Sequence, residues 1–115
     1  MDKIKAITKR PGMRPVSTWI TPSLENLQKL VGGYVEVVQL VPGAVCVLCD
    51  EEGRLKGSEY NCTVNGHAFV GDLVLVGLDQ DEEGEETFAS LPFSYEITKA
   101  MFPGFWDGWR RDGND

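Results

Sequence analysis

The sequence predicts an α+β fold: a single small domain with a mainly antiparallel sheet and two helices packed on one face. Three observations lead there. Short β-branched runs alternate apolar and polar residues, tight turn signals join them, and only one segment between them has clean helical spacing. The 115 residues suit one domain and are enough to bury a core, and no repeat or linker divides them.

Taken in order, residues 3–8 alternate, with Ile4 and Ala6 on one face and Lys3, Lys5 and Ile7 on the other, which is a strand. Pro11-Gly12 turns the chain, and 15–20 form a second strand with Val16 and Trp19 as candidate core residues. A helix follows over 22–31. Thr21 caps it, Pro22 suits its first position, Leu24, Leu27, Leu30 and Val31 form its apolar stripe, and Gly32-Gly33 stops it. Glu25 and Lys29 stand one turn apart on its wet side. Residues 34–41 and 44–49 form a central hairpin across Pro42-Gly43. After the polar turn Asp50–Gly53, residues 54–61 read as a strand or an extended loop. Asn65-Gly66 is a hairpin turn, and 67–77 reads as one long strand with Gly71 as a bulge. An acidic, solvated, mobile loop occupies 79–86, and a last helix runs from Leu91 to Phe102, with Pro92 or Ser94 near its start. Residues 103–115 form an aromatic and basic tail, frayed from Trp109 onward. The expected core is Leu24, Leu27, Leu30, Val35, Val37, Val47, Val74 and Val76.

Charge narrows the function. The net charge is −7, yet residues 1–30 carry a net +4 through Lys3, Lys5, Lys9, Arg10, Arg14 and Lys29. An acidic chain is a poor non-specific nucleic-acid binder, because phosphate neutralisation drives that affinity. The lysines of the first strand also read as guards of a sheet edge. No apolar run is long enough to span a membrane, and the N-terminus lacks the apolar stretch of a signal peptide. Three cysteines cannot all pair within one chain, so a reducing, cytoplasmic setting is expected.

Cys46, Cys49, Cys62 and His67 have the composition of a zinc site. Cys46 and Cys49 lie in a strand-like run, however, where positions three apart point to opposite faces, so no metal and no cofactor are expected. His67 has Ser58, Cys62 and Thr63 as the nearby nucleophiles, and no nucleophile elbow is present. The acidic clusters lack the alternate-residue spacing of a calcium loop. The segment 50–61 is richer. Arg54 and Lys56 suit phosphate, Tyr60 can stack, and the Asn61 amide can read a base edge. Arg10 and Arg14 supply further positive charge, and Trp106 offers a stacking wall. These seven residues form the candidate ligand site.

The segments SLENLQKLVGGYVEVV, CDEEGRLKG, Asn61, VGDLVLVG and FASL before a helix together resemble a family of small domains of unknown function. That family is carried by phages, plasmids and other mobile elements of bacteria. The resemblance covers residues 3–102. Relatives usually place Arg after the Asn, where this chain has Cys62, and they end soon after the last helix, so the FPGFWDGWRR tail departs from the pattern. The resemblance implies a setting rather than a chemistry. The expectation is a non-enzymatic accessory protein of a bacterial host's cytoplasm that binds and sequesters a nucleotide-type immune signal, as a homo-oligomer. The surplus of aromatics at Phe102, Phe105, Trp106 and Trp109 would form the seam. An acidic decoy that inhibits a nuclease or restriction protein is the alternative, and a small phosphodiesterase is third.

Overall fold

The computed structural model describes residues 2–107. In chain order the elements are β1 (Ile4–Lys9), β2 (Val16–Ile20), α1 (Leu24–Val31), β3 (Val35–Val41), β4 (Val45–Asp50), β5 (Tyr60–Val64), β6 (His67–Val70), β7 (Leu73–Gln80), β8 (Glu86–Ala89), α2 (Tyr95–Met101) and α3 (Pro103–Trp106). The main sheet has the order β2-β1-β7-β4-β3, with β8 pairing the far end of β7; β5 and β6 form a separate hairpin. Every pairing is antiparallel, as expected for an α+β domain built from hairpins.

The central strands are buried on both faces, and their alternation sorts side chains between two cores. Cys46, Leu48, Val74 and Val76 meet Leu27 and Val31 of α1. Val45, Val47, Cys49, Leu73 and Leu75 meet the hairpin residues Cys62, Val64 and Phe69, together with Leu91, Phe102, Phe105 and Trp106. The helices are therefore not on one face: α1 covers one side, and α3 lies on the other, beside β5.

α1 is capped by the Ser23 hydroxyl, which accepts from the Asn26 amide, so the helix starts two residues later than Thr21 and Pro22 suggest. Gly32 ends it in the left-handed conformation. Leu24 has the right phase for the core but sits at the free end of the helix, a turn beyond Leu27, and is 65% exposed. Val37 is exposed because it lies on the edge strand β3. Val16 and Trp19, on the opposite edge strand β2, are exposed for the same reason. Leu27, Val47, Val74 and Val76 are buried as expected, while Leu30 and Val35 are partly buried against the same core.

The segment 67–77 is two strands, not one. Gly71, at φ 75°, adopts a conformation that a side chain resists, and the chain there leaves the β5–β6 hairpin to join the main sheet as β7. The acidic segment is an ordered hairpin turn: the Asp81 carboxylate accepts from the amides of Glu83 and Glu85, each at 2.9 Å, and β8 follows. The expected final helix begins at Tyr95 after a Ser94 cap, and Pro103 starts a second, shorter one. Gly104 lets α3 lie directly on β5, since a Cβ there would stand 2.1 Å from the Thr63 carbonyl oxygen. Phe105 and Trp106 of α3 are thus part of the core, while Pro103 is exposed. Phe102, Phe105 and Trp106 are buried within one chain, which removes the reason for placing an oligomer seam on them. Trp109 lies outside the described residues.

Candidate functional site

A cleft opens where three sequence-distant segments converge: the end of β1 (Thr8 to Arg10), the last turn of α1 (Lys29, Leu30) and the start of β7 (Asp72 to Val74). Its volume is about 190 Å³. A second hollow of about 370 Å³ shares Asp72 as a wall and continues past Pro11, Gly32, Lys56, Ser58 and Gly71. The joint cleft carries Arg10, Lys29 and Lys56 against Asp50, Glu59 and Asp72, with the buried Lys9 also in its lining.

The cations differ in freedom. Among the described residues Arg10 is exposed and has no ion pair. Lys29 makes only a loose contact with Glu25, at 3.5 Å with both side chains solvated, which holds it weakly. Lys56 is engaged: its ammonium donates to Asp50 Oδ2 at 2.8 Å and to the Gly32 carbonyl at 3.1 Å, leaving one N–H. The Asp50 bond raises the Lys56 pKa, chiefly by hydrogen bonding. Gly33 makes room for this tie, since a Cβ there would stand 2.5 Å from Asp50 Oδ1.

Beneath the cleft lies a buried amide–amine buckle. Lys9 Nζ donates to Asn61 Oδ1 at 2.7 Å, and Asn61 Nδ2 donates to the carbonyls of Lys9 (3.0 Å) and Gly71 (2.7 Å). Both residues are buried. Burial lowers the Lys9 pKa, opposed by the neighbouring Cys62. The buckle fastens β5 to β1 and fixes the Gly71 crossover that forms one wall of the second hollow.

The structure brings some of the seven candidate residues together and scatters the rest. Arg10 and Lys56 line the joint cleft. Arg14 is exposed in the turn after Arg10 and lines neither hollow. Arg54 turns to the other side of the 51–57 segment. There its guanidinium donates to the Ala68 carbonyl, beside a separate cavity bordered by Glu36, Cys49 and His67. Asn61 reads no base edge, because both ends of its amide are spent inside the fold. Tyr60 is exposed and its hydroxyl pairs with that of Thr63 at 2.6 Å, away from both hollows. Trp106 is not an open stacking wall. It is 6% exposed, its indole N–H donates to the Tyr95 hydroxyl at 2.9 Å, and its ring packs edge-on against Tyr95.

Lys29 and Asp72 are cleft residues that sequence reasoning missed. Lys29 read as half of a solvated helix pair, and the signal that it does more was its place in the last turn, just before the Gly-Gly stop. Cys46 and Cys49 face opposite cores, so one ion cannot take both sulfurs. Burial is the main cause that pushes the Cys46 and Cys49 thiols up to about 12 and the Cys62 thiol up to about 11. Thiols held neutral in this way are poor nucleophiles and ligands. His67 is exposed, with its ring 4.4 Å from Phe69.

Residues 4–98 match the model of a domain of unknown function, DUF3846. The chain belongs to the DUF3846 family. No curated protein and no solved structure matches it. In this DUF3846 domain the matched region contains the whole cleft and ends within α2, so α3 and its buried aromatics lie beyond it. Among the described residues, no helix is long and apolar enough to cross a membrane.

Proposed function

We propose that this domain binds and holds a small nucleotide-type ligand, phosphate first, in the cleft between β1, α1 and β7. The observation that carries the reading is the convergence of Arg10 and Lys29 on one concave site in a chain of net charge −7. A phosphate needs such a local positive potential, because the acidic remainder of the surface repels anions. About 190 Å³ suits a phosphate group, and the adjoining hollow of about 370 Å³ has room for the sugar. Asp72 lines both hollows, and in this reading its carboxylate accepts from ribose hydroxyls. Retention rather than turnover fits the remaining chemistry: the thiols are held neutral, and His67 lies against Phe69 of its own strand, outside both hollows. In a phage or mobile-element setting such a protein would act as a cytoplasmic sponge for a host immune signal.

The test is to incubate the protein with cyclic and ADP-ribose-type nucleotides, remove free ligand, denature by heat and identify what is released. Intact ligand, with capture lost in Arg10→Ala and Lys29→Ala, supports a sponge. Altered product makes the protein an enzyme, and no capture overturns the reading. The acidic-decoy alternative draws on the β7–β8 hairpin, where Asp79, Asp81, Glu82, Glu83, Glu85 and Glu86 are all exposed. They crowd one tip instead of spacing along a face, which favours the cleft.

A further inference from the structure

The strand order of the main sheet ends in β2 on one side and β3 on the other, with the short β8, which carries Glu86, as a further edge beside β7; the two end strands are guarded differently. A sheet edge offers unpaired backbone groups to any other strand, and natural edges are blunted by charge, proline or a bulge. β3 has a register break between Gln39 and Val41 and carries Glu36. β2 pairs with β1 over five consecutive residues without a break, and Val16–Ile20 contains no charged residue. The lysines that the sequence suggested as edge guards lie one strand in, on β1. Val16 and Trp19 are 55% and 61% exposed, and Met13, on the approach to the strand, is 56% exposed.

We propose that β2 pairs with β2 of a second copy of this chain, antiparallel about a two-fold axis at Thr18. The strand is complementary to itself in that register. Val16 faces the partner subunit's Ile20, Thr18 faces its own copy, and Ser17 faces the partner subunit's Trp19. Threonine pairs are favourable cross-strand neighbours, and the small Ser17 leaves space for the indole. No like charges meet anywhere along the ladder. Pro15 and Pro22 bracket the strand, and the Pro15 carbonyl already accepts from the Tyr95 hydroxyl at 3.0 Å. A longer foreign strand would therefore gain no further ladder bonds, whereas an identical five-residue strand uses all that are on offer. The pairing is isologous and closes on itself.

Sedimentation equilibrium over concentrations up to about 200 µM tests this independently of any ligand. The expected mass is twice the 12.7 kDa of the chain. Thr18→Lys sets two ammonium groups face to face at the axis and is expected to give a monomer with an unchanged circular dichroism spectrum. Val37→Lys, on the other edge, is expected to leave the dimer intact. Should Thr18→Lys fail to fold, Trp19→Ala serves instead, removing an exposed ring and weakening the dimer roughly tenfold or more. A monomer across the range overturns the proposal. So does a dimer that survives both β2 substitutions, or one that Val37→Lys splits.

Discussion

The two faces of the main sheet are closed by different means. On one, α1 delivers Leu27 and Val31 from a single contiguous stretch onto the aliphatic row Leu48, Val74 and Val76. On the other, the cover is assembled from pieces far apart in sequence: Val64 and Phe69 from the hairpin, Leu91 from the chain after β8, and Phe102, Phe105 and Trp106 from the C-terminal end. Among the described residues the one buried amine, that of Lys9, lies on this second face and is held by Asn61. A helix can settle on a sheet through local order. A composite lid needs several long loops closed before its contacts form, and each closure costs entropy.

The sharpest way to break this contrast is Phe105→Ala. The ring is fully buried and belongs to the composite lid, although it lies beyond the region shared with the DUF3846 family. A loss of about 3–5 kcal/mol is expected in urea denaturation. A loss below about 1 kcal/mol would mean that the second face does not depend on the C-terminal aromatics. On the helical face, Leu27→Ala is expected to cost about 2–5 kcal/mol and Leu24→Ala less than about 0.5 kcal/mol. Equal losses at the two positions would show that the first turn of α1 is seated after all.

The same contrast explains what could be read in the sequence. The phase of Leu27 and Val31, the Gly32 stop, the alternation in β1 and the apolar run of β4 are local patterns, and they located these two strands and the body of α1, whose start the Ser23 cap moves two residues later. Edge status is not local: Val16, Trp19 and Val37 look like core residues until the strand order puts them on the rim. The break at Gly71 is also invisible locally, because His67–Val70 and Leu73–Gly77 are both strand-like and only their partners differ. For the cleft, residue chemistry favoured the cluster around Arg54–Asn61. The fold instead spends the Asn61 amide, sends Arg54 to the other side of its turn and brings Lys29 next to Arg10.

Of intermediate size is the buckle of the second face. Asn61→Leu leaves the Lys9 amine and the Lys9 and Gly71 carbonyls without their partner in a buried place, which costs about 1–3 kcal/mol. Its charge can be tested separately by pH. Burial lowers the Lys9 pKa, so between that lowered value and 10.5 the unfolded chain binds more protons than the folded one. The Lys9 contribution to stability therefore rises with pH across that window. The three thiols act oppositely: their raised pKa values keep them protonated in the fold after the unfolded thiols ionise near 9.0. Comparing wild type with Lys9→Met cancels Cys46 and Cys49, while Cys62, which the Lys9 charge holds lower, is pushed further up in the variant and adds a difference of the same sign. The wild type should gain on the variant as the solution becomes alkaline, and parallel curves would exclude a buried charge at Lys9.

The smallest effect expected is at the tie between α1 and the turn after β4. Burial pushes the Asp50 carboxyl up, but the Lys56 hydrogen bond, the Glu52 amide at 2.9 Å and the Lys56 charge together outweigh it and hold the pKa below 3.8. With the folded value depressed, the stabilisation is complete above 3.8 and is lost as pH falls through the folded value. The Lys56 side chain is 46% exposed, so solvent screens the pair and keeps the contribution small. Asp50→Asn retains an oxygen for the Glu52 amide while removing the titration. Urea midpoints at neutral and acidic pH should fall further in wild type than in this variant. An equal fall would place the acid-sensitive contact elsewhere and would leave the C-terminal end of α1 held by Leu27 and Val31 alone, an aliphatic attachment indifferent to pH.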